Sequence, residues 1–155
     1  MLNLDPKAPS TDQVDSLLAE WKIDAVMDKL EPASELRKIG SLHSKYLTIL
    51  STHRRAFKEG ERRMAKLRRL KYEYYMGRLD QTTLAHYKWE PFLYTLKGDL
   101  ATYMDSDKEL VNGKAVIAIH EEIVDLCERI IKELGSRTFQ LKDIISWEKF
   151  ISGAH

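Results

Sequence analysis

From Thr11 onward, apolar residues recur every three or four positions, and that period is kept almost to the end of the chain. This is the spacing of one helix face, and runs that alternate strictly with β-branched residues are few. The first stretch carries Val14, Leu17, Leu18, Trp21, Val26 and Leu30, with Thr11 or Asp12 as the cap. Pro32 is expected to end it, and Ser34 to cap the next. The second helix is predicted to be very long, from about Ser34 to Tyr75. One face of it reads Ile39, His43, Tyr46, Leu50, His53, Phe57, Gly60, Met64, Leu67, Lys71 and Tyr74. The steps alternate between four and three, which makes a coiled-coil-like seam. The seam is imperfect, with two histidines, a glycine and a lysine in it. Gly60 is expected to mark a bend or a close helix crossing.

Gly77 follows as a C-cap. A shorter helix carries Leu84, Tyr87 and Trp89 and is interrupted by Pro91, and "PFLYTLKGDLATYM" suggests another. Asn112-Gly113 reads as a turn. A further long helix is predicted from Lys114 to Leu134, ended by Gly135, with "FQLKDIISWEKF" as an amphipathic last helix. The apolar residues from Val116 to Leu134 cover a wide arc, and such an arc meets two partners, one of which can be a second subunit. The fold class expected is all-α. Its regions are a flexible tail (1–10), a helical region with a basic helix at about 34–78 (11–112), and a C-terminal helical region (113–155).

Scarce glycine (7) and proline (4) among 155 residues support this reading. The N-terminal "MLNLDPKAPSTDQ" lacks the charged head and apolar run of a signal peptide. No segment approaches the apolar length of a membrane span. A single cysteine, Cys127, forbids an internal disulfide and fits a reducing compartment, so the chain is read as cytosolic. No HExxH, paired CxxC, Walker A loop, GxGxxG or GxSxG stretch is present. Cys127 lies in an apolar run and reads as a core residue. The expectation is a protein that is not an enzyme and needs no cofactor or metal.

Net charge is only +1, yet its distribution is uneven. Arg54, Arg55, Lys58, Arg62, Arg63, Lys66, Arg68, Arg69 and Lys71 stand against only Glu59 and Glu61, which leaves this segment at +7 and the remainder at −6. Arg55, Lys58 or Glu59, Arg62, Lys66 and Arg69 recur at helical steps and form a ridge beside the seam. Like charges at that spacing repel, a polyanion relieves the repulsion, and the counterions released from its phosphates drive binding. Tyr72, Tyr74 and Tyr75 follow, between Lys71 and Arg78. Rings beside cations suit single-stranded nucleic acid, whose bases stack while cations hold the backbone. The ridge also reads as a plain solvated face, and Tyr74 also falls on the seam. A membrane surface or a calmodulin-like partner ranks lower, because the apolar face contains His, Gly and Lys.

Three stretches, "SKYLTILSTHRRAFKEGERRMAKLRRLKYEYYMGR", "IVDLCERIIKELGSRTF" and "LKDIISWEKFISG", occur in an order and spacing that resemble the UvsY recombination mediator family of T4-like bacteriophages. The resemblance covers roughly Ser44 to Gly153, with a divergent middle. It implies a non-enzymatic homo-oligomeric ring that binds single-stranded DNA. Such a protein helps load a UvsX-like recombinase onto DNA covered by the phage single-strand-binding protein, in recombination, repair and recombination-dependent replication. Its place would be the cytoplasm of the infected bacterial host. The family's Lys-Ala-Arg-Leu motif falls on Arg69, Leu70, Lys71 and Tyr72, where the charge is kept but the letters differ. The DNA-binding residues expected are thus the nine basic residues above with Tyr72, Tyr75 and Arg78. The family's assembly is attributed to its C-terminal part, which points to Val116, Ile119, Ile123, Cys127, Ile130 and Leu134. The rival reading is a helical adaptor or scaffold whose basic face binds acidic protein partners.

Overall fold

The computed structural model describes residues 10–93 and 95–153. The tail expected at 1–10 lies outside them, apart from the exposed Ser10. Five helices follow one another, and the described residues contain no strand: α1 (Thr11–Asp24), α2 (Pro32–Tyr75), α3 (Gln81–Tyr87), α4 (Leu100–Asp105) and α5 (Lys108–Ile151). The all-α expectation holds.

The boundaries have local causes. Pro32 opens α2 instead of closing the helix before it. A proline at the first helical position gives up an N–H that would have had no partner there. α1 stops at Asp24, so Val26 and Leu30, expected on its apolar face, lie beyond it and are exposed. α2 ends as its sequence predicts. Gly77 adopts φ +68°, the Gly77 N–H donates to the Tyr74 carbonyl, and the Arg78 N–H donates to the Glu73 carbonyl. That pair of bonds is a Schellman cap. A Cβ on Gly77 would also collide with the Leu93 carbonyl. Asp107 caps α5, its Oδ1 accepting from the Leu110 N–H at 3.0 Å.

Two sequence expectations fail in α5. The helix runs unbroken through Asn112-Gly113 and through Gly135. At Gly113 the missing Cβ is used, since Met64 occupies the place it would take. At Gly135 the buried side chains Leu134 and Leu141 lie two turns apart on one helix face, so burial carries the helix past the glycine. Of the helix expected over "PFLYTLKGDLATYM" only the part from Leu100 forms, since the described residues 91–93 and 95–99 are not helical, and α3 stops short of Trp89.

The chain forms two compact units. One comprises Ala56–Ile119. In it the second part of α2 meets the first part of α5 in antiparallel fashion, with Gly60 against Ile117, Met64 against Gly113 and Lys71 against Asp107. The other comprises Ser10–Arg55 and His120–His155. Its core is Val14 and Leu17 of α1, Tyr46 and Leu50 of α2, and Ile123, Cys127, Ile130, Leu134 and Leu141 of α5. Tyr46 is fully buried, donates its hydroxyl to Asp24 at 2.8 Å and stands edge-on to Trp21. Arg137 lies over the Trp21 ring and donates to the Ala25 carbonyl.

Candidate nucleic-acid interface

Within the unit Ala56–Ile119 the seam of α2 faces inward. Gly60, Met64, Leu67, Lys71 and Tyr74 are buried or half-buried, as their heptad spacing predicts. At 3.6 residues per turn, Lys58, Arg62, Lys66 and Arg69 fall within an arc of about 80° on the opposite side of the helix. All four are exposed. Arg63 and Arg68, also exposed, flank the row.

The carboxylates available to this row are few. Glu59 receives both Arg62 and Arg63, at 2.5 and 2.9 Å. Lys58, Lys66, Arg68 and Arg69 make no ion pair among the described residues. Between Lys58 and Arg69 six cations therefore face two carboxylates. The expected ridge is present in this unit, and its charge is left largely uncompensated.

In the other unit, Arg54 is engaged by Glu128 of α5. Arg55 is exposed and donates to the Ser51 carbonyl.

Lys71 departs from the expectation. It is only 5 % exposed and lies 3.0 Å from Asp107 and 3.1 Å from Glu109. Its Nζ also stands 3.9 Å from the centroid of the Trp89 ring. A lysine so enclosed, and so paired, cannot present its charge to a phosphate. The seam register, not the run of positive charge, describes it.

Tyr75 departs in the same way. Its hydroxyl donates to Asp107 at 2.7 Å, and its ring packs edge-on against Phe92 and at a tilt against Tyr103. Burial, then the bond to Asp107, pushes its hydroxyl well above the ordinary tyrosine range. Tyr74 donates to the Glu90 carbonyl and packs against Trp89 and Phe92. These two rings build a core. Tyr72 remains half-buried, and Arg78 is exposed with Glu73 3.8 Å away.

The hub of this cluster is Asp107, which the sequence reading passed over. Its carboxylate caps α5, accepts from Tyr75 and pairs with Lys71. Burial works to raise its pKa, but Tyr75, the Leu110 N–H and Lys71 together outweigh burial and hold it below its ordinary value. The signal was available, since Asp107 stands at the start of an apolar periodic run, as an N-cap does.

The residues expected to form a subunit interface are also placed differently. Ile123, Cys127, Ile130 and Leu134 are buried within their own unit, while Val116 and Ile119 are half-buried. The wide arc of α5 is occupied by α1 and α2 of the same unit, so those four core residues are not available to a second copy. The exposed apolar residues of α5 are Val111 and, towards its end, Phe139, Trp147, Phe150 and Ile151. Cys127 is fully buried, and burial pushes its thiol up to about 11. The described residues hold no group of three or more side chains suited to a metal ion. No helix among them is long and apolar enough to cross a membrane.

These features define an all-helical protein whose most distinctive surface is a basic row on a long helix. The chain belongs to the UvsY family, described as "Recombination, repair and ssDNA binding protein UvsY", whose profile matches residues 20–154. The fold agrees with crystal structures of the bacteriophage T4 recombination mediator protein UvsY. One, of lattice type II, has a TM-score of 0.74 at 22 % identity, covering 89 % of this chain and 96 % of that one. Another, of lattice type I, has a TM-score of 0.72 at 22 % identity, covering 87 % and 98 %. At such identity the likeness speaks for the fold. No curated protein matches the chain.

Proposed function

We propose that this protein binds single-stranded DNA along the outward face of α2 and acts as a recombination mediator. In that role it helps load a recombinase onto DNA covered by single-strand-binding protein. The observation that carries the proposal is the row Lys58, Arg62, Lys66 and Arg69, exposed and met by few carboxylates, in a member of a family described as binding single-stranded DNA. Within the same unit Arg63 and Arg68 extend the basic surface, and Tyr72 and Arg78 border it. Lys71 and Tyr75 are left out, because both are committed to Asp107.

The mechanism is non-enzymatic. Cations along the row neutralise phosphates, and released counterions drive binding without reading sequence. We assign self-assembly to the exposed end of α5, around Phe139, Trp147, Phe150 and Ile151. Assembly into a ring would repeat the row, and linked weak sites act at high effective concentration. DNA held across several rows would be presented to the recombinase in an altered form. Mediation then needs only differential binding to DNA and to the two proteins.

The test is fluorescence anisotropy of a labelled oligonucleotide, single-stranded and duplex, titrated across a salt series. Tight, salt-sensitive binding that favours the single strand is expected. Replacing Lys58, Lys66 and Arg69 together by Ala should weaken it and flatten its salt dependence, by a slope of about 0.7 for each lost phosphate contact. Indifference between single strand and duplex would favour the rival, a helical scaffold that binds acidic protein.

A further inference from the structure

We infer that His53 of α2 and His120 of α5 form a proton-operated latch, held closed by one shared Nδ1 proton and opened when both imidazoles become charged. The two Nδ1 atoms are 3.0 Å apart, and the ring centroids are 5.1 Å apart with an interplanar angle of 53°. The centroid separation exceeds the nitrogen separation by about two ring radii. Each Nδ1 therefore points nearly straight at the other. That geometry suits a shared proton and does not suit two ligands converging on one metal ion.

A neutral imidazole has one N–H and one bare nitrogen. In the neutral pair one ring donates its Nδ1–H and the other accepts. A single added proton can enter without breaking the bond, because an imidazolium still donates to a neutral partner. A second proton removes the acceptor. Two N–H groups then face each other across 3.0 Å, with like charges behind them.

The surroundings make the second charge costly. Burial lowers the pKa of His53, and burial followed by the charge of His53 lowers that of His120. Among the charged groups of the same two helices, Arg54 is held by Glu128, and Arg55 donates to the Ser51 carbonyl. Glu121 and Glu122 are exposed and make no ion pair among the described residues. From α1, Glu20 and Asp24 are taken up by Lys45. Glu128, Glu20 and Asp24 are thus engaged by cations, and the only side-chain hydrogen bond of either imidazole among the described residues is the one to the other.

The latch and the Arg54–Glu128 pair both tie α2 to α5 in the unit Ser10–Arg55 and His120–His155. Opening it by acid loosens that tie next to the start of the basic run. Both pKa values lie below the free value of 6.5, so the folded protein binds fewer protons than the unfolded chain below that pH. The contribution to stability is full above 6.5 and is lost as the pH falls through the lowered values.

The test is an NMR pH titration of the histidine ring Cε1–H signals in the full chain. Rings 53 and 120 should report the same two steps, separated by more than about one pH unit, as coupled groups do. With His53→Asn, whose amide hydrogen-bonds but does not titrate, ring 120 should show one step. Two independent single steps near the free value, unchanged by that substitution, would overturn the inference. Thermal unfolding gives a second readout, with the midpoint compared from about pH 7.5 to about pH 5. The wild type should lose more than a variant carrying both His53→Asn and His120→Asn, and an equal loss would also overturn it.

Discussion

Lys71 Nζ lies 3.0 Å from Asp107 Oδ2, and both side chains are almost wholly withdrawn from water. A lysine that by sequence ends the basic run thus holds α5 against α2. Breaking a buried pair from one side leaves the other charge uncompensated, at a cost of about 3–5 kcal/mol. Glu109 is half-exposed and shares the lysine, so the lower end of that range is expected for Lys71→Met. Arg69→Ala, on the exposed row, should leave stability within about 0.5 kcal/mol and weaken DNA binding instead. Urea unfolding and anisotropy on both variants separate the roles. A Lys71→Met protein with unchanged urea midpoint and impaired DNA binding would return Lys71 to the interface.

Asp107 also sets an acid limit. Its carboxylate is held below its ordinary value of 3.8 by Tyr75, the Leu110 N–H and Lys71, against the opposing effect of burial. The folded state therefore binds fewer protons than the unfolded chain in that range. The stability Asp107 supplies is complete above 3.8 and is lost as the pH falls through the folded value. In urea titrations the difference between wild type and Asp107→Asn should narrow on acidification below about pH 4. A difference that stays constant would show that the charge of Asp107 is not what matters.

Three helical glycines should respond differently to alanine. Gly40 has nothing within 4 Å of a Cβ, so alanine should stabilise by about 0.8–1 kcal/mol through helix propensity alone. At Gly60 the new methyl would meet Ile117 Cγ1 at 2.9 Å. Isoleucine is stiff at χ1, and overpacking costs about 1–3 kcal/mol, so Gly60→Ala should destabilise. At Gly113 the obstacle is the methyl end of Met64, which can move aside, so alanine should fall between the other two. Thermal melts of the three variants check the order, and a stabilising Gly60→Ala would contradict the close crossing.

Ile123 and Trp147 separate folding from assembly. Ile123 is 2 % exposed, so Ile123→Asp places an unpaired charge in the core and should unfold the second unit, read by circular dichroism. Trp147 is 62 % exposed and stacked on Phe150, so Trp147→Glu should leave helicity intact while reducing particle mass in light scattering. Unchanged mass with Trp147→Glu would move the assembly surface elsewhere.

Periodicity alone determined the helical class, the extent of α2, its Gly77 cap and its inward face except at His43, which is exposed, because burial of one helix face imposes its period on the sequence. The crowding of cations into one segment was equally plain, and the row Lys58, Arg62, Lys66 and Arg69 follows from helical geometry. Three things required the tertiary structure. Asn112-Gly113 looks like a turn, but Met64 of the opposing helix fills the space beside Gly113 and packing overrides local preference. The apolar arc of α5 could serve a neighbouring subunit or its own chain, and only the positions of α1 and α2 decided for the chain itself. Lys71 is the same kind of residue as Lys66, five positions earlier, yet one is buried and the other exposed. What separates them is the arrival of Asp107 and Glu109 from far along the chain. Charge is a local property of sequence, whereas the environment that gives a charge its role is assembled from distant residues.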